Sequence, residues 1–369
     1  MEGTTLAEIF HVDLTKSPLW SGKSAADEPD VLLQAHLAFL QAGARTLLTS
    51  TYQSSYATFE RAGYSREIAA QRMRDSVKIA MEAKVKFCSG NKDVKLEDVH
   101  IALSLGTFGA SLSPMQDFGG VFPPPYGPKA YSATGQEENT NSFDDDREGK
   151  ERSIEALAQF HAERLLVFAQ DRETWESIDC LAFETIPLER EVRAIRRAVG
   201  TVVNSSTQNK TKLKPWWITM VFPGGQYPEK RSPHGESYTV AELVATALQV
   251  VNSDLEEPLP TPNGIGINCT GLRYLHHLLP DFEASVALYP REPKPWLILH
   301  PNKGDGYDSV SKTWRMTDTS VSWADEFAEI VKGMKQDVFG GIIAGGCCKA
   351  GPEEIRGLRI NLNLERNLK

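Results

Sequence analysis

Cysteine is scarce in this chain, which has five cysteines among its 369 residues. Because five is an odd number and small secreted domains are dense in disulfides, this count argues against an extracellular disulfide framework. No apolar stretch reaches the roughly 20 residues that a membrane-spanning helix needs, and the first residues, MEGTTLAEIF, do not follow the pattern of a signal peptide. The sequence therefore predicts a cytoplasmic protein without a membrane partner.

Basic residues are also fewer than acidic ones. Lysine and arginine total 40 against 49 acidic residues, which gives a formal net charge of −9. Because no basic stripe with interleaved aromatic side chains occurs, we expect no nucleic-acid partner. Hydrophobic residues make up 41% of the chain, so disorder is excluded and a full core can be buried.

Short apolar runs rich in β-branched residues alternate with longer segments of helical period, such as 31–43 and 65–85. Near-continuous apolar strands in this alternation indicate a parallel sheet covered by helices. Seven runs, with room for one more at the N-terminus, predict an α/β fold of the (βα)8 TIM-barrel type. The predicted strands are Ala44–Tyr52, His100–Phe108, Cys180–Pro187, Trp216–Phe222, Gly264–Gly271, Trp296–Asn302 and Gly340–Cys348.

No linker divides the chain, which predicts a single domain over residues 1–369. The longest irregular stretch runs from about residue 111 to residue 150 and contains PPPYGP and three consecutive aspartates. A connection of this length is typical of a functional lid or of a disordered insertion. As a strand-to-helix loop, it would lie on the active-site face of a barrel.

Polar residues are concentrated at the ends of the predicted strands. In a barrel, these ends converge on one mouth even when the residues are far apart in sequence. We therefore expect one shared site from six strand-end residues. They are Tyr52, Glu184, Asn268, Cys269, Cys347 and Cys348.

The adjacent pair Cys347 and Cys348 follows two glycines, Gly345 and Gly346. Neighbouring side chains of an extended chain point to opposite faces, so we expect the glycines to supply a flexible turn that re-aims the two thiolates. Together with Cys269, they would form a three-thiolate site with one open position, which is typical of catalytic zinc. A vicinal disulfide and inert core cysteines are the alternatives.

The remaining candidates have structural interpretations as well. A buried unpaired carboxylate is costly, so Glu184 is expected to be functional or ion-paired. Tyr52 could instead cap the core with its hydroxyl in water. His300 is predicted to be a hydrogen-bonded strand-end residue rather than a fourth ligand, and Cys88 and Cys180 ordinary buried thiols, with Cys180 at the end of the barrel opposite the site.

The segments TSTYQSS, FETIP, GINC, HPNKGDGY and GGCC, in this order and at these strand ends, resemble the homocysteine S-methyltransferases, which use zinc to activate a thiol. The resemblance extends from Ser17 to the C-terminus. It implies that homocysteine is the methyl acceptor and methionine the product.

The same resemblance implies roles for individual residues. Glu184 matches the position that binds the amino group of homocysteine, and Glu184 and Tyr52 are the implied catalytic residues of the active site. Asn268 is the second implied substrate-binding residue and orients the loop of the first zinc cysteine. The cofactor would be zinc, Zn2+. The implied zinc ligands are Cys269, Cys347 and Cys348.

The resemblance also implies the substrates. The chain ends about twenty residues after GGCC, whereas the related betaine-using enzymes carry a long C-terminal extension. We therefore expect a sulfonium donor, S-methylmethionine or S-adenosylmethionine. Selenocysteine is an alternative acceptor.

One segment departs from the family pattern. Its members begin with a strand followed by Asp-Gly-Gly, whose aspartate helps to hold homocysteine, whereas this chain opens with Met1, Glu2, Gly3 and Thr4. We expect either a start further upstream or a barrel without its first strand, with Glu2 in place of the aspartate. In the second case, a non-catalytic zinc-binding relative is the alternative function.

Overall fold

The computed structural model describes residues 2–13, 19, 22, 27–135, 138–206, 212–250, 258–304, 306–308, 313–315, 321–335 and 337–363, with the side chains of 2–4, 203–206, 306–308 and 313–315 left aside. The side chain of Glu2, considered above as a substitute for the family aspartate, lies outside the described part. None of the described helices is long and apolar enough to cross a membrane.

Seven parallel strands form one curved sheet, in which each strand pairs with the next along the chain. A separate antiparallel pair, β7 and β8, lies between the sixth and seventh strands in sequence. The strands are β1 (Thr46–Leu48), β2 (His100–Gly106), β3 (Cys180–Ile186), β4 (Trp216–Met220), β5 (Gly264–Gly271), β6 (Trp296–Asn302), β7 (Gly306–Asp308), β8 (Thr313–Arg315) and β9 (Ile342–Ala344).

Each of the seven predicted apolar runs contains one strand of this sheet. The α/β class and the TIM-barrel-like arrangement are thus confirmed, but the sheet is a half-barrel. Within the described ranges, no eighth strand joins the edge of β1 to the edge of β9. The first element of the chain is a helix, Glu2–Glu8.

Helices follow the strands and cover the convex face of the sheet. The described helices are α1 (Glu2–Glu8), α2 (Pro29–Gln41), α3 (Tyr56–Arg61), α4 (Arg66–Gly90), α5 (Arg147–Ala169), α6 (Arg172–Ser177), α7 (Glu189–Ser206), α8 (Val240–Leu248), α9 (Leu275–Val286), α10 (Trp323–Gly333) and α11 (Pro352–Asn361).

Capping side chains determine where several helices begin. Ser65 accepts a hydrogen bond from the backbone amide of Ile68 and starts α4. Asp146 accepts one from the amide of Gly149 at 2.8 Å, so α5 begins before the apolar periodicity starts at Ser153. The aspartate run of the long loop therefore serves in part as a helix start.

Two layers of apolar side chains hold the sheet. The larger one lies between the strands and the helices, with Leu103, Phe183 and Ile265 among its buried members. A smaller cluster on the concave face takes residues from alternate strand positions, because neighbouring side chains of a strand point to opposite faces. Its buried members are Ala102, Ala182, Trp217 and Ile298.

The long loop between β2 and α5 packs onto the protein over its described part. The side-chain amide of Asn141 donates to the carbonyls of Gly119 (2.9 Å) and Pro228 (2.8 Å). The buried guanidinium of Arg190, on α7, donates to the carbonyl of Asn141 at 2.8 Å. These contacts hold the loop at the carboxyl ends of the strands, where a lid was expected.

Candidate metal and thiol site

Three cysteines converge at the carboxyl ends of β5 and β9. Their sulfur atoms all lie within 4.8 Å of one another, and no other described His, Cys, Asp or Glu joins this group. Cys269 and Cys347 are 8% and 7% exposed, and Cys348 is half-buried. The cluster predicted from sequence is therefore brought together in space.

The sulfurs of Cys269 and Cys347 are in direct contact as a disulfide, and their Cα atoms are 5.4 Å apart. Cys348 remains a free thiol, so the vicinal disulfide considered above is not formed. A Cα separation of this size suits a disulfide. Zinc binding by all three cysteines requires each of them as a thiolate.

The end of β6 holds the double cysteine in place. The amide of Cys347 donates to the carbonyl of Pro301 at 2.8 Å, and the amide of Cys348 donates to Oδ1 of Asn302 at 3.0 Å. The indole of Trp323 donates in turn to the carbonyl of Asn302 at 3.0 Å. This strand therefore positions both cysteines through their backbone.

The two glycines before the cysteines are needed for space rather than for flexibility. Neither has a positive φ, whereas Lys349 just beyond the pair has a φ of 66°. A Cβ on Gly345 would lie 3.0 Å from Cδ2 of His300, and one on Gly346 would lie 2.3 Å from Cβ of Ala350. Close packing thus excludes a side chain at Gly346 and leaves little room for one at Gly345, which differs from the flexible turn expected from the sequence.

Glu184 is buried near the end of β3, with 5% of its surface exposed. Its Oε2 accepts a hydrogen bond from the hydroxyl of Ser104 at 2.7 Å. Its Oε1 lies 3.4 Å from Nδ1 of His300, which has no hydrogen bond of good geometry. The carboxylate is thus partly satisfied, with one oxygen available to a cationic ligand. His300 lies beside this carboxylate and outside the sulfur cluster, where it was not expected to act as a fourth ligand.

Tyr52 lies just after β1, at the mouth of the sheet. Its hydroxyl donates to Oδ2 of Asp117 at 3.3 Å. Burial raises the pKa of Tyr52 well above its usual value, and the neighbouring charge of Asp117 adds to this effect. The hydroxyl therefore stays protonated and acts as a hydrogen-bond donor rather than as a base.

The backbone of Tyr52 is fixed by Arg164, a buried residue of α5. The guanidinium donates to the carbonyl of Tyr52 at 2.9 Å and to the carbonyl of Gly106 at 2.7 Å. A Cβ on Gly106 would lie 2.6 Å from the carbonyl oxygen of Tyr52, so the two segments approach closely. Arg164 was not anticipated, since its helix gives only an amphipathic pattern in the sequence.

Asn268 lies one residue before Cys269 and is 2% exposed. Its Oδ1 accepts from the amide of Thr185 and its Nδ2 donates to the hydroxyl of the same residue, both at 2.8 Å. Thr185 has a φ of 61° and follows Glu184 directly. Both ends of the Asn268 amide are thus engaged within the protein, in keeping with an orienting role.

Two residues of the long loop reach the site; the sequence placed the loop on the active-site face but identified neither residue. Phe118 packs against the cluster of Val221 and the three cysteines. Asp117 faces Tyr52, and burial raises the pKa of its carboxyl from 3.8 to about 6. Ser104 was also missed, although a polar residue inside the apolar strand β2 was a usable signal.

The other two cysteines lie away from the sulfur cluster. Cys180 begins β3, so it is at the far end of that strand from Glu184, and burial raises the pKa of its thiol to about 12. Cys88 is near the end of α4. Both thiols are half-buried, and neither has a partner among the described metal-binding groups.

Comparison with known proteins identifies a family over almost the whole chain. A family model described as homocysteine S-methyltransferase matches residues 1–362. Homocysteine S-methyltransferase 2 of Zea mays is 28% identical over 353 residues, which cover 95% of this chain and 85% of that relative. Selenocysteine Se-methyltransferase of Brassica oleracea var. italica is 27% identical over 357 residues, covering 95% and 84%.

Solved structures share the fold. The crystal structure of the homocysteine methyltransferase MmuM from Escherichia coli in its metallated form has a TM-score of 0.60 at 21% identity, covering 96% of this chain and 92% of that one. Its oxidised form gives a TM-score of 0.60 at 19% identity, with the same coverage. At these sequence identities, the similarity shows a shared fold.

Proposed function

The chain belongs to the homocysteine S-methyltransferase family and is an enzyme of that type, and we propose that it transfers a methyl group from a sulfonium donor to homocysteine at a zinc site. The observation that carries this proposal is the convergence of three cysteine sulfurs within 4.8 Å of one another. The metallated crystal form of the Escherichia coli enzyme supports a metal at such a site.

The donor set fits zinc. Three cysteine sulfurs are soft ligands, and a site with three protein ligands leaves a fourth position for a substrate sulfur. Cys269, Cys347 and Cys348 would hold the metal as thiolates. Bound zinc would keep the homocysteine thiol deprotonated near neutral pH, where a free thiol with a pKa of about 8.5 is largely protonated.

The residues around the sulfurs would orient the acceptor. We assign the free oxygen of Glu184 to the ammonium group of homocysteine, while Ser104 holds the other oxygen at 2.7 Å. Phe118 and Val221, packed on the cysteines, exclude water from the reacting sulfur. The methyl carbon passes from the sulfonium to the acceptor thiolate, and the electron pair of the broken bond stays on the donor sulfur, which leaves as a neutral thioether.

The proposed donors are S-methylmethionine and S-adenosylmethionine, which share a methyl group on a positively charged sulfur. Since the acceptor needs no base once its thiol is deprotonated, alignment of the two sulfurs is the main requirement. Selenocysteine is a second candidate acceptor, which the similarity to the Brassica selenocysteine enzyme favours. A selenolate would bind at the position of the homocysteine thiolate.

The test uses the purified protein, reduced and supplied with zinc. We expect zinc bound in stoichiometric amount and methionine formed from homocysteine with at least one of the two donors, measured by elemental analysis and mass spectrometry. Stoichiometric zinc without turnover of either acceptor would favour the binding-only alternative. Absence of zinc from the reduced protein would refute both functions.

Replacing Cys347 with serine should abolish zinc retention and reduce methionine formation to background, because two sulfurs and a hydroxyl bind zinc far more weakly than three thiolates. Cys88→Ser is the matched control, because Cys88 is half-buried outside the cluster. It should retain both zinc and activity. A Cys347→Ser protein that keeps metal and turnover would refute the ligand assignment.

A further inference from the structure

Asp117 and Phe118 of the long loop form a cover over the cysteine sulfurs. Phe118 packs against the cluster of Val221 and the three cysteines. Both residues of the cover are partly exposed, whereas Cys269 and Cys347 are buried beneath them. The cover therefore lies between the sulfurs and solvent.

The carboxylate of Asp117 is held in a defined position at this cover. It accepts a hydrogen bond from the hydroxyl of Tyr52 at 3.3 Å. An anionic group and an aromatic ring thus stand side by side next to the sulfur cluster, and no described cationic side chain pairs with Asp117.

The geometry of methyl transfer requires a cation on this side. The acceptor sulfur, the methyl carbon and the donor sulfur must lie in one line for the transfer. The cysteines occupy the inner side, so the donor comes from the side of the cover. A positively charged sulfur there would be stabilised by the carboxylate and by the face of the phenyl ring.

We propose that Asp117 and Phe118 bind the sulfonium charge of the methyl donor. The inference rests on the proposed function and adds a recognition element for the donor. Tyr52 acts as a positioning residue, because its hydroxyl holds the carboxylate at the cover. Since the charge is present in the donor and lost in the thioether product, these residues favour donor binding and product release.

Asp117→Asn tests the proposal, because asparagine keeps an oxygen that can accept from Tyr52 but removes the charge. The zinc-loaded, reduced enzyme should show a KM for S-methylmethionine or S-adenosylmethionine raised by at least about tenfold. The KM for homocysteine and the inhibition by methionine, a neutral thioether, should stay within about twofold. Asp117→Glu should restore donor binding, and Phe118→Leu should raise the donor KM about three- to tenfold.

Asp145→Asn is the matched control, since Asp145 is an exposed carboxylate of the same loop. Asp145→Asn should leave the KM values for donor and homocysteine and the methionine inhibition constant unchanged. The proposal is refuted if Asp117→Asn leaves the donor KM at the wild-type value, or raises the homocysteine KM or the methionine inhibition constant equally. Thermal unfolding of each variant would establish that the protein is folded.

A binding measurement separates this inference from the proposed function. If the wild-type enzyme forms no methionine, calorimetry on the zinc-loaded protein still compares S-methylmethionine with methionine. A preference of wild type for the sulfonium that Asp117→Asn abolishes would support the recognition site. Equal binding of both compounds to wild type would overturn it.

Discussion

At the scale of single residues, the carboxylate of Asp117 is proposed to favour donor binding, but its charge lowers the stability of the fold. Burial raises the pKa of its carboxyl from 3.8 to about 6. A carboxyl whose pKa is higher in the folded state contributes stability below its unfolded pKa and loses that contribution as the pH rises through about 6. At neutral pH the charged carboxylate therefore destabilises the fold, as binding residues commonly do.

The metal-free, reduced Asp117→Asn protein should accordingly gain stability relative to wild type at pH 8 and lose that advantage at pH 4. We expect a difference of about 1–2 kcal/mol between the two conditions, after allowance for solvent screening at a partly exposed group. Thermal unfolding at both pH values measures it. Asp145→Asn, in the same loop, should show no such change, and a difference independent of pH for Asp117→Asn would contradict the assigned cause.

Site residues at the ends of strands could be predicted from the sequence, whereas site residues in the long loop could not. Glu184, Asn268 and Cys269 could be found because they terminate apolar runs, and parallel strands bring such ends together. Asp117 and Phe118 lie far from any strand end, and their approach to the sulfurs depends on tertiary contacts of the long loop. Local pattern carries no information about such contacts.

At the scale of elements, the turn between β9 and α11 is limited by packing. The predicted strand Gly340–Cys348 shortens to Ile342–Ala344, although the amides of Gly345 and Cys347 still donate to carbonyls of β6 and so bring the cysteines to the site. The predicted strand Ala44–Tyr52 shortens to Thr46–Leu48 in the same way. An apolar run in the sequence thus includes the functional turn that follows the strand.

Gly346→Ala should damage this turn. The added Cβ would lie 2.3 Å from Cβ of Ala350, so the backbone after β9 must shift and the paired cysteines move with it. We expect a loss of about 1–3 kcal/mol in unfolding free energy, as for other overpacked sites, and weaker zinc binding in a chelator competition.

Gly333→Ala is the control for this change, because Gly333 closes α10 and no atom lies within 4 Å of the position its Cβ would take. Its stability and zinc affinity should remain near those of the wild type. Wild-type zinc affinity in Gly346→Ala would show that the turn has room that the structure does not indicate.

At the scale of the whole molecule, helices connect the two open edges of the half-barrel. The guanidinium of Arg359, on α11, donates to the carbonyl of Gly43, just beyond α2, at 3.0 Å. Leu6 of α1 is fully buried in the cluster that α2 and α4 also supply. Counting apolar runs could predict seven strands and their order, but not this arrangement, because contacts between distant helices decide how the edges of a sheet are covered.

One buried ion pair supports the contacts that hold the long loop on the protein. Arg190 is fully buried and forms an ion pair with Glu229, and it also donates to the carbonyl of Asn141 at 2.8 Å. It therefore links α7, the loop and the segment after β4. Burial raises the pKa of Glu229, which shows the cost of placing this carboxyl in the interior.

Arg190→Met should destabilise the protein by about 3–5 kcal/mol, because it leaves the carboxylate of Glu229 buried without its partner. The loop over residues 111–150 should also become more sensitive to limited proteolysis, since one of the contacts that hold Asn141 is lost with Arg190. Arg197→Met is the control on the same helix: its partner Glu151 is exposed, so the loss should stay below about 1 kcal/mol.

Adding Glu229→Gln to Arg190→Met should recover part of the stability, because it removes the unpaired charge. If the double variant is no more stable than Arg190→Met and the loop is cleaved at the wild-type rate, the ion pair does not hold the cover over the sulfurs.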